Sequence, residues 1–332
     1  MKLSWRSYTL ELSHPFKIAH GTSQTRTAVL VDLDGGLGEA AVVPYHGESV
    51  EAVGDYLETV APLLDDPPDS LQARLALLPH EGSRAARAAV EMALFDLWGR
   101  ELGRPLWQLF GLDPNLAPPT SFTIAIGEPA EMAALARQSA MPILKLKVGD
   151  EGDLERLEAV RAARPEARIR VDANGGWTPA EARRLIPELK RLGVEFLEQP
   201  LPPAEREAFA ELKKLGLPIF ADEPIKTVAD VVEWAPYVDG VVVKLAKSGG
   251  IAPARAMIDA AHGLGLEVML GCMVETRLAV GAAAHLAPLA EYADLDGPLL
   301  IKNDPFSGLD YSGARLVLPT GPGLGITSRA DF

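Results

Sequence analysis

Arg191-Leu192-Gly193-Val194-Glu195-Phe196-Leu197-Glu198 contains a helix end, a glycine stop, an apolar strand and a terminal carboxylate. Glycine suits a helix C-terminus because it tolerates the left-handed conformation that ends the helix. The same join occurs twice more, at Leu215-Gly216 before the apolar run 217–221 and at Leu264-Gly265 before 266–270. Thr178-Pro179 supplies an N-cap and a first-turn proline for the helix that ends at Leu192, and Pro187 inside it predicts a kink. Strand and helix alternating without hairpin signals imply a parallel sheet. A unit of about two dozen residues, continued from about residue 119 onward, implies a closed β/α barrel.

Charged residues stand where these strands end. Lys145 and Lys147 close the run 142–147, Asp172 follows 169–171, Glu198 follows 194–197, Asp222 follows 219–221, and Lys244 follows 241–243. From Lys147 to Lys244 the steps are 25, 26, 24 and 22 residues. Each step is one β/α unit, so the groups converge at the C-terminal mouth, where barrel active sites lie. A single charge after a strand is ordinarily a solvated loop residue. Five consecutive units ending in charge are not required for packing, since the apolar runs already satisfy strands buried on both faces.

Three carboxylates from adjacent strands form a hard oxygen site suited to Mg²⁺, with Mn²⁺ a possible substitute. Lys147 precedes and Lys244 follows the acids, which places two amines on opposite sides of whatever the metal holds. Lys145 and Lys147, at i and i+2, share one strand face. Two like charges so close disfavour double protonation, so a neutral lysine is available as a general base. The chemistry that follows is proton abstraction beside a carboxylate. The metal and an ammonium neutralise the developing charge, and a base on each face permits inversion.

Outside the repeat, residues 27–32 and 40–43 have strand character around Gly35, Gly36 and Gly38. Over 83–102, Ala86, Val90, Leu94 and Leu97 recur at helical spacing, and Gly103 with Pro105 supplies a stop. This half reads as a small α+β domain, and 332 residues are enough for two such parts. The net charge of −14 disfavours a nucleic-acid or anionic-membrane partner. A lone Cys272 excludes an intrachain disulfide and a cysteine zinc site. The start of the chain lacks a signal-peptide pattern, and no stretch approaches ~18 uninterrupted apolar residues. A soluble cytoplasmic protein is expected, with a homo-oligomer left open.

With these residues in order, the chain resembles the muconate-lactonizing subgroup of the enolase superfamily over essentially its whole length. The carrying motifs are Leu144-Lys145-Leu146-Lys147-Val148-Gly149, Val171-Asp172-Ala173-Asn174-Gly175-Gly176-Trp177 and Glu198-Gln199-Pro200-Leu201. Ala221-Asp222-Glu223-Pro224 and Lys244-Leu245-Ala246-Lys247-Ser248-Gly249-Gly250 complete them. The resemblance implies an α/β fold, a modified (β/α)7β TIM barrel over 116–332 with an N-terminal α+β capping domain over 1–115. It also implies a C-terminal segment returning to that domain. It further implies Mg²⁺ held by Asp172, Glu198 and Asp222, with Lys147 and Lys244 as the acid/base pair and Lys145 as an electrostatic helper. Lys247 is expected in the loop after its strand.

Ala293-Asp294-Leu295-Asp296-Gly297-Pro298-Leu299 resembles the Asp-x-Asp motif with which dipeptide epimerases bind a substrate α-ammonium. Asp294 lies 50 residues beyond Lys244, two units on and at the same mouth; the plain reading is a surface acid pair. The implied activity is dipeptide epimerisation, a 1,1-proton transfer. o-Succinylbenzoate synthesis and N-acylamino acid racemisation are alternatives whose substrates lack an ammonium. A Schiff-base aldolase would leave three aligned carboxylates unexplained, as would a non-catalytic scaffold. The loop Pro15-Phe16-Lys17-Ile18-Ala19-His20-Gly21-Thr22-Ser23 resembles the family's mobile lid. It holds Gly21 or Ser23 where glutamate-preferring epimerases carry an arginine, and the nearest arginine is Arg26. Acidic and apolar second residues both stay open. Cys272 and Met273 are candidates for the pocket wall or for packing. His14, His46, His80, His262 and His285 show no ligand spacing.

Overall fold

The computed structural model describes residues 1–329. Its N-terminal sheet is antiparallel, with β1 (Leu3–Ile18), β2 (Gly21–Leu33) and β3 (Gly36–Val42) in that order. The helix Arg84–Glu101 crosses this sheet, capped by the Ser83 side chain, which accepts from Ala86 N at 3.0 Å. It agrees with the helix expected over 83–102 to within its caps. The helix lies so close to β3 that a Cβ at Gly38 would overlap the Ala89 carbonyl. Glycine there is a packing requirement.

The barrel is one sheet of eight parallel strands. They are β4 (Phe122–Ile124), β5 (Ile143–Lys147), β6 (Arg168–Asp172), β7 (Val194–Glu198), β8 (Ile219–Ala221), β9 (Gly240–Val243), β10 (Glu267–Gly271) and β11 (Tyr292–Asp294). The helices between them run over Pro129–Gln138, Asp153–Ala163, Pro179–Arg191, Arg206–Lys213, Val228–Trp234, Ile251–Gly263 and Arg277–Ala284. That is the (β/α)7β pattern. The helix Pro179–Arg191 continues through Pro187, and Thr178 with Glu181 forms a capping box at its start. The ring closes at a bridge between Thr120 and Ala293, with Ser121 N donating to Ala293 O at 3.2 Å.

The lower end of the barrel is plugged. Phe196, Phe220, Val242 and Met269 form a buried cluster. Arg170 stacks its guanidinium on Phe196 and Tyr292, with centroids at 5.3 and 5.1 Å, and pairs with Glu195 at 3.1 Å. Only the C-terminal mouth is left for chemistry. The segment beyond β11 runs back to the N-terminal sheet: Ser13 N donates to Leu300 O, and Lys302 N to Glu11 O, each at 2.8 Å.

Two buried carboxyls pin the sheet domain to the barrel. Glu91 accepts from Ala252 N at 2.6 Å, and Glu39 accepts from Thr276 N at 3.0 Å and Ala279 N at 3.3 Å. Burial is the main cause that raises both, Glu39 to about 8 and Glu91 to about 7, from 4.5. The folded chain therefore holds protons that the unfolded chain releases above about pH 4.5. The sign follows: the stability these two carboxyls contribute is full at and below that pH and is lost as pH rises toward about 8. Urea midpoints should drop between pH 5.5 and 8.5, and Glu39→Gln should flatten the slope by on the order of 1 kcal/mol. An unchanged slope in that variant would rule Glu39 out as the titrating group.

Candidate active site

Parallel register sets the site. Lys147 pairs with Asp172 across β5 and β6, and Asp172 with Glu198 across β6 and β7, so the groups form one layer. Lys147 Nζ lies 2.5 Å from Asp172 Oδ2 and Lys244 Nζ lies 2.8 Å from Asp222 Oδ2. Lys145 Nζ lies 2.6 Å from Glu198, 2.7 Å from Asp294 and 3.1 Å from Asp172. All these side chains are buried. Burial would deprotonate Lys145 and Lys244, but the carboxylates outweigh it and raise both well above ordinary lysine: Asp294, Glu198 and Asp172 act on Lys145, Asp222 and Glu198 on Lys244.

Among the described residues no three His, Cys, Asp or Glu side chains form a ready-made metal cage. Ammonium groups lie between the carboxylates instead. By charge and donor type the three acids nevertheless fit a divalent cation. Glu198 is fully buried, and among the described residues neither of its oxygens accepts a hydrogen bond and only the Lys145 ion contact reaches it. Burial, reinforced by Asp172, pushes its carboxyl well above the usual range. A buried carboxylate so poorly satisfied calls for a cation.

Asp222 is more heavily engaged than its place in the sequence indicates. Lys247 Nζ lies 2.6 Å from Asp222 Oδ1 and also donates to the Asp222 carbonyl. Lys247 was expected in a loop. It sits instead in the one-turn helix Leu245–Ser248, one turn after Lys244, and folds back beneath the strand ends. Gln199 aids the same residue: its Oε1 accepts from Asp222 N at 2.8 Å, and its Nε2 donates to Leu201 O at 2.8 Å. Gln199 and Asn174, just beyond the acids of β7 and β6, hold left-handed backbone at φ 38° and 44°. Such strain outside glycine is characteristic of functional sites.

Asp294 and Asp296 face the same mouth. Asp294 accepts from Ser121 Oγ at 2.6 Å and from Lys145, while Asp296 accepts from Thr123 N at 2.6 Å. Burial alone would raise Asp294, but Lys145 holds it below the usual range; burial and Asp294 push Asp296 up to about 7. Ser121 and Thr123 were not singled out from the sequence. A serine just before a short first strand and a threonine within it carry no distinguishing local signal.

A cavity of about 650 Å³, including its open mouth, lies above this layer. Lys145, Lys147, Lys244, Asp294, Asp296, Cys272 and Met273 all line it, and Phe16, Ile18, Arg26 and Tyr45 close it from the N-terminal domain. The lid-like stretch is the far end of the β1–β2 hairpin, tied down where Lys17 Nζ meets Asp150 at 2.7 Å. His20, at the turn, stacks on Tyr45 at 4.7 Å. Burial lowers the Arg26 pKa, yet its guanidinium makes no hydrogen bond or ion pair among the described residues. Cys272 remains a thiol, because burial and Asp296 push it well above its ordinary value.

Comparison with known proteins agrees with this architecture. The chain is 37% identical to the L-Ala-D/L-Glu epimerase of Bacteroides thetaiotaomicron, over 98% of this chain and 88% of that one. A substrate-liganded complex of the L-Ala-D/L-Glu epimerase from Bacillus subtilis superposes with a TM-score of 0.91, at 33% identity, covering 99% of this chain and 100% of the other. The dipeptide epimerase from Cytophaga hutchinsonii, complexed with Mg and D-Ala-L-Val, gives 0.92 at 28% identity, covering 100% and 97%. The mandelate racemase / muconate lactonizing enzyme N-terminal domain matches residues 5–111, and the enolase C-terminal domain-like family matches 129–332. Sheet domain and barrel thus match as two successive units, and the chain belongs to the enolase superfamily, in its mandelate racemase/muconate lactonizing enzyme branch.

Proposed function

We propose that this protein is a divalent-metal-dependent dipeptide epimerase, which takes the α-proton beside the substrate carboxylate and returns it to the opposite face. The placement of Lys147 and Lys244 carries this reading. Each meets an outer carboxylate of one three-strand row, from either flank, and both line the same cavity. The substrates of the related epimerases, and the Mg in the Cytophaga hutchinsonii complex, support it.

Asp172, Glu198 and Asp222 are the residues that would hold the cation, and an all-carboxylate set suits Mg²⁺. When bound, the cation supplies charge neutralisation for a substrate carboxylate that gains a second negative charge. With a cation on Asp172, Glu198 and Asp222, these carboxylates hold the two lysines less tightly, so that one of Lys147 and Lys244 accepts the α-proton as a free amine and the other donates one from the far side. The centre inverts and no net proton is consumed. Lys145, bridging Glu198 and Asp294, stabilises the enolate as an ammonium without moving a proton. Asp296, with Asp294 partly neutralised by Lys145, binds the free α-ammonium, which separates dipeptides from N-acylated substrates.

Arg26 favours an acidic second residue, since a half-buried guanidinium with no ion pair among the described residues, at a cavity wall, suits a substrate carboxylate. The test is α-proton exchange in D₂O over an L-Ala-L-Xaa panel, with wild type and Arg26→Met. Wild type should exchange dipeptides in Mg²⁺ and lose this in EDTA. Arg26→Met should lose about tenfold or more in kcat/KM for L-Ala-L-Glu and stay within about threefold for L-Ala-L-Leu. Equal loss on both would sink the acidic preference alone. Exchange of N-acylated amino acids but of no free dipeptide would replace the whole reading with an N-acylamino acid racemase.

A further inference from the structure

Cys272, Met273 and Val274, which face the cavity, lie on the loop after β10. That loop is held largely from outside the barrel. Glu39, on β3, is 1% exposed, and its carboxyl group gathers Thr276 N, Ala279 N and the Thr276 hydroxyl. These donors open the helix Arg277–Ala284, of which Thr276 is the N-cap. Among the described residues Glu39 makes no ion pair, and the nearby Glu275 charge opposes its ionisation.

Ala41, the next same-face position of this strand, and Val43 just beyond its end continue the contact. Ala41 and Val43 pack with Met273 and Ala246 in a small buried cluster. Within the loop, Glu275 accepts from Met273 N at 3.1 Å, and Cys272 N donates to Asp294 O at 3.1 Å. The far side is closed by Gly297, where a Cβ would stand 2.8 Å from Met273 O and 3.0 Å from Glu275 N. The loop is pressed between one face of β3 and the segment that carries Asp294 and Asp296. Glu39 is the polar pin of that arrangement, and it touches none of the lysines or carboxylates of the barrel mouth.

We propose that Glu39 is a positioning residue for the substrate-facing wall: acting through Thr276, it fixes Met273 and Val274, so that the N-terminal sheet sets the fit of the pocket. Its effect on substrate rests on the epimerase reading above; its effect on the wall does not. A pin of this kind acts on binding more than on chemistry, because the acid/base groups sit on other strands.

The experiment compares wild type with Glu39→Ala, Glu39→Gln and Thr276→Val, each checked by circular dichroism and urea unfolding. With an exchanging dipeptide, Glu39→Ala should raise KM about tenfold with kcat within about threefold, the usual scale for stranding buried donors. Glu39→Gln keeps an acceptor oxygen and should rescue most of the loss. The double variant Glu39→Ala/Thr276→Val should lose less than the sum of the two single losses, since the contact between Glu39 and the Thr276 hydroxyl is common to both. Cys272 is the sole cysteine of the chain, so its alkylation by iodoacetamide reads the wall without any substrate. That rate should rise about tenfold in Glu39→Ala and stay near wild type in Glu39→Gln. Should Glu39→Ala not survive folding, Thr276→Val carries the same two readouts. Unchanged alkylation in folded Glu39→Ala and Thr276→Val overturns the proposal, as does a loss confined to kcat. If wild type exchanges no dipeptide, the reaction is wrong, and the alkylation rates still decide the wall.

Discussion

Lys147→Ala and Lys244→Ala should each lower epimerisation by about 10²–10⁴-fold, the usual contribution of a positioned acid or base. The two losses should differ in kind. Lys147 reaches the row at Asp172 and Lys244 at Asp222, with Glu198 between them, so each lysine addresses one face of the substrate. Removing one base leaves the other able to take the α-proton of a single epimer and exchange it with solvent. Each variant should thus retain α-deuteration of one epimer in D₂O, and the two should retain opposite epimers. Both lysines are buried and paired, and the amines that remain beside them, Lys145 at Asp172 and Lys247 at Asp222, stay held by carboxylates. Normal epimerisation by either variant, or retention of the same epimer by both, would refute the two-base arrangement.

The second large effect is expected at Asp222. Its end-of-strand position alone predicts that Asp222→Asn abolishes turnover and spares the fold. The structure changes the second half of that expectation. Asp222 faces two buried lysines, Lys244 at 2.8 Å and Lys247 at 2.6 Å. Burial would raise its carboxyl, but these two lysines hold it well below the usual range. An asparagine leaves two buried ammonium groups without their shared countercharge, and breaking a buried pair typically costs about 3–5 kcal/mol. Asp222→Asn should therefore fall in Tm as well as losing Mn²⁺ binding and turnover. Lys247→Met in the same background should restore part of the Tm without restoring metal binding, because it removes one stranded charge. Mn²⁺ titration showing wild-type stoichiometry and affinity in Asp222→Asn would remove Asp222 from the ligand set.

The C-terminal ends of the strands were legible because the pattern that marks them is local. An apolar run must be followed by a polar residue where the strand leaves the barrel wall, and the 22–26-residue step repeats in the chain itself. β5 through β9 lie where those runs predicted them, with Lys147, Asp172, Glu198, Asp222 and Lys244 at or just beyond their ends. The helix over 83–102 was equally readable, since its periodicity and caps lie within one stretch.

Partnerships were a different matter. That Asp294 joins Ser121 and Lys145 rather than standing free depends on the ring closing; that Lys247 turns back onto Asp222 depends on two neighbouring strands, and that Arg26 ends at the cavity wall depends on how the N-terminal sheet meets the barrel. The pin between Glu39 and Thr276 spans 237 residues of chain. Sequence by itself thus determined the repeat, the barrel and the row of charges, because periodicity and strand length act over a few residues. Only the tertiary structure decided which acid neutralises which lysine and what walls the pocket. Those outcomes follow from distances between side chains far apart in the chain, where ångströms of separation and the loss of water set the energy.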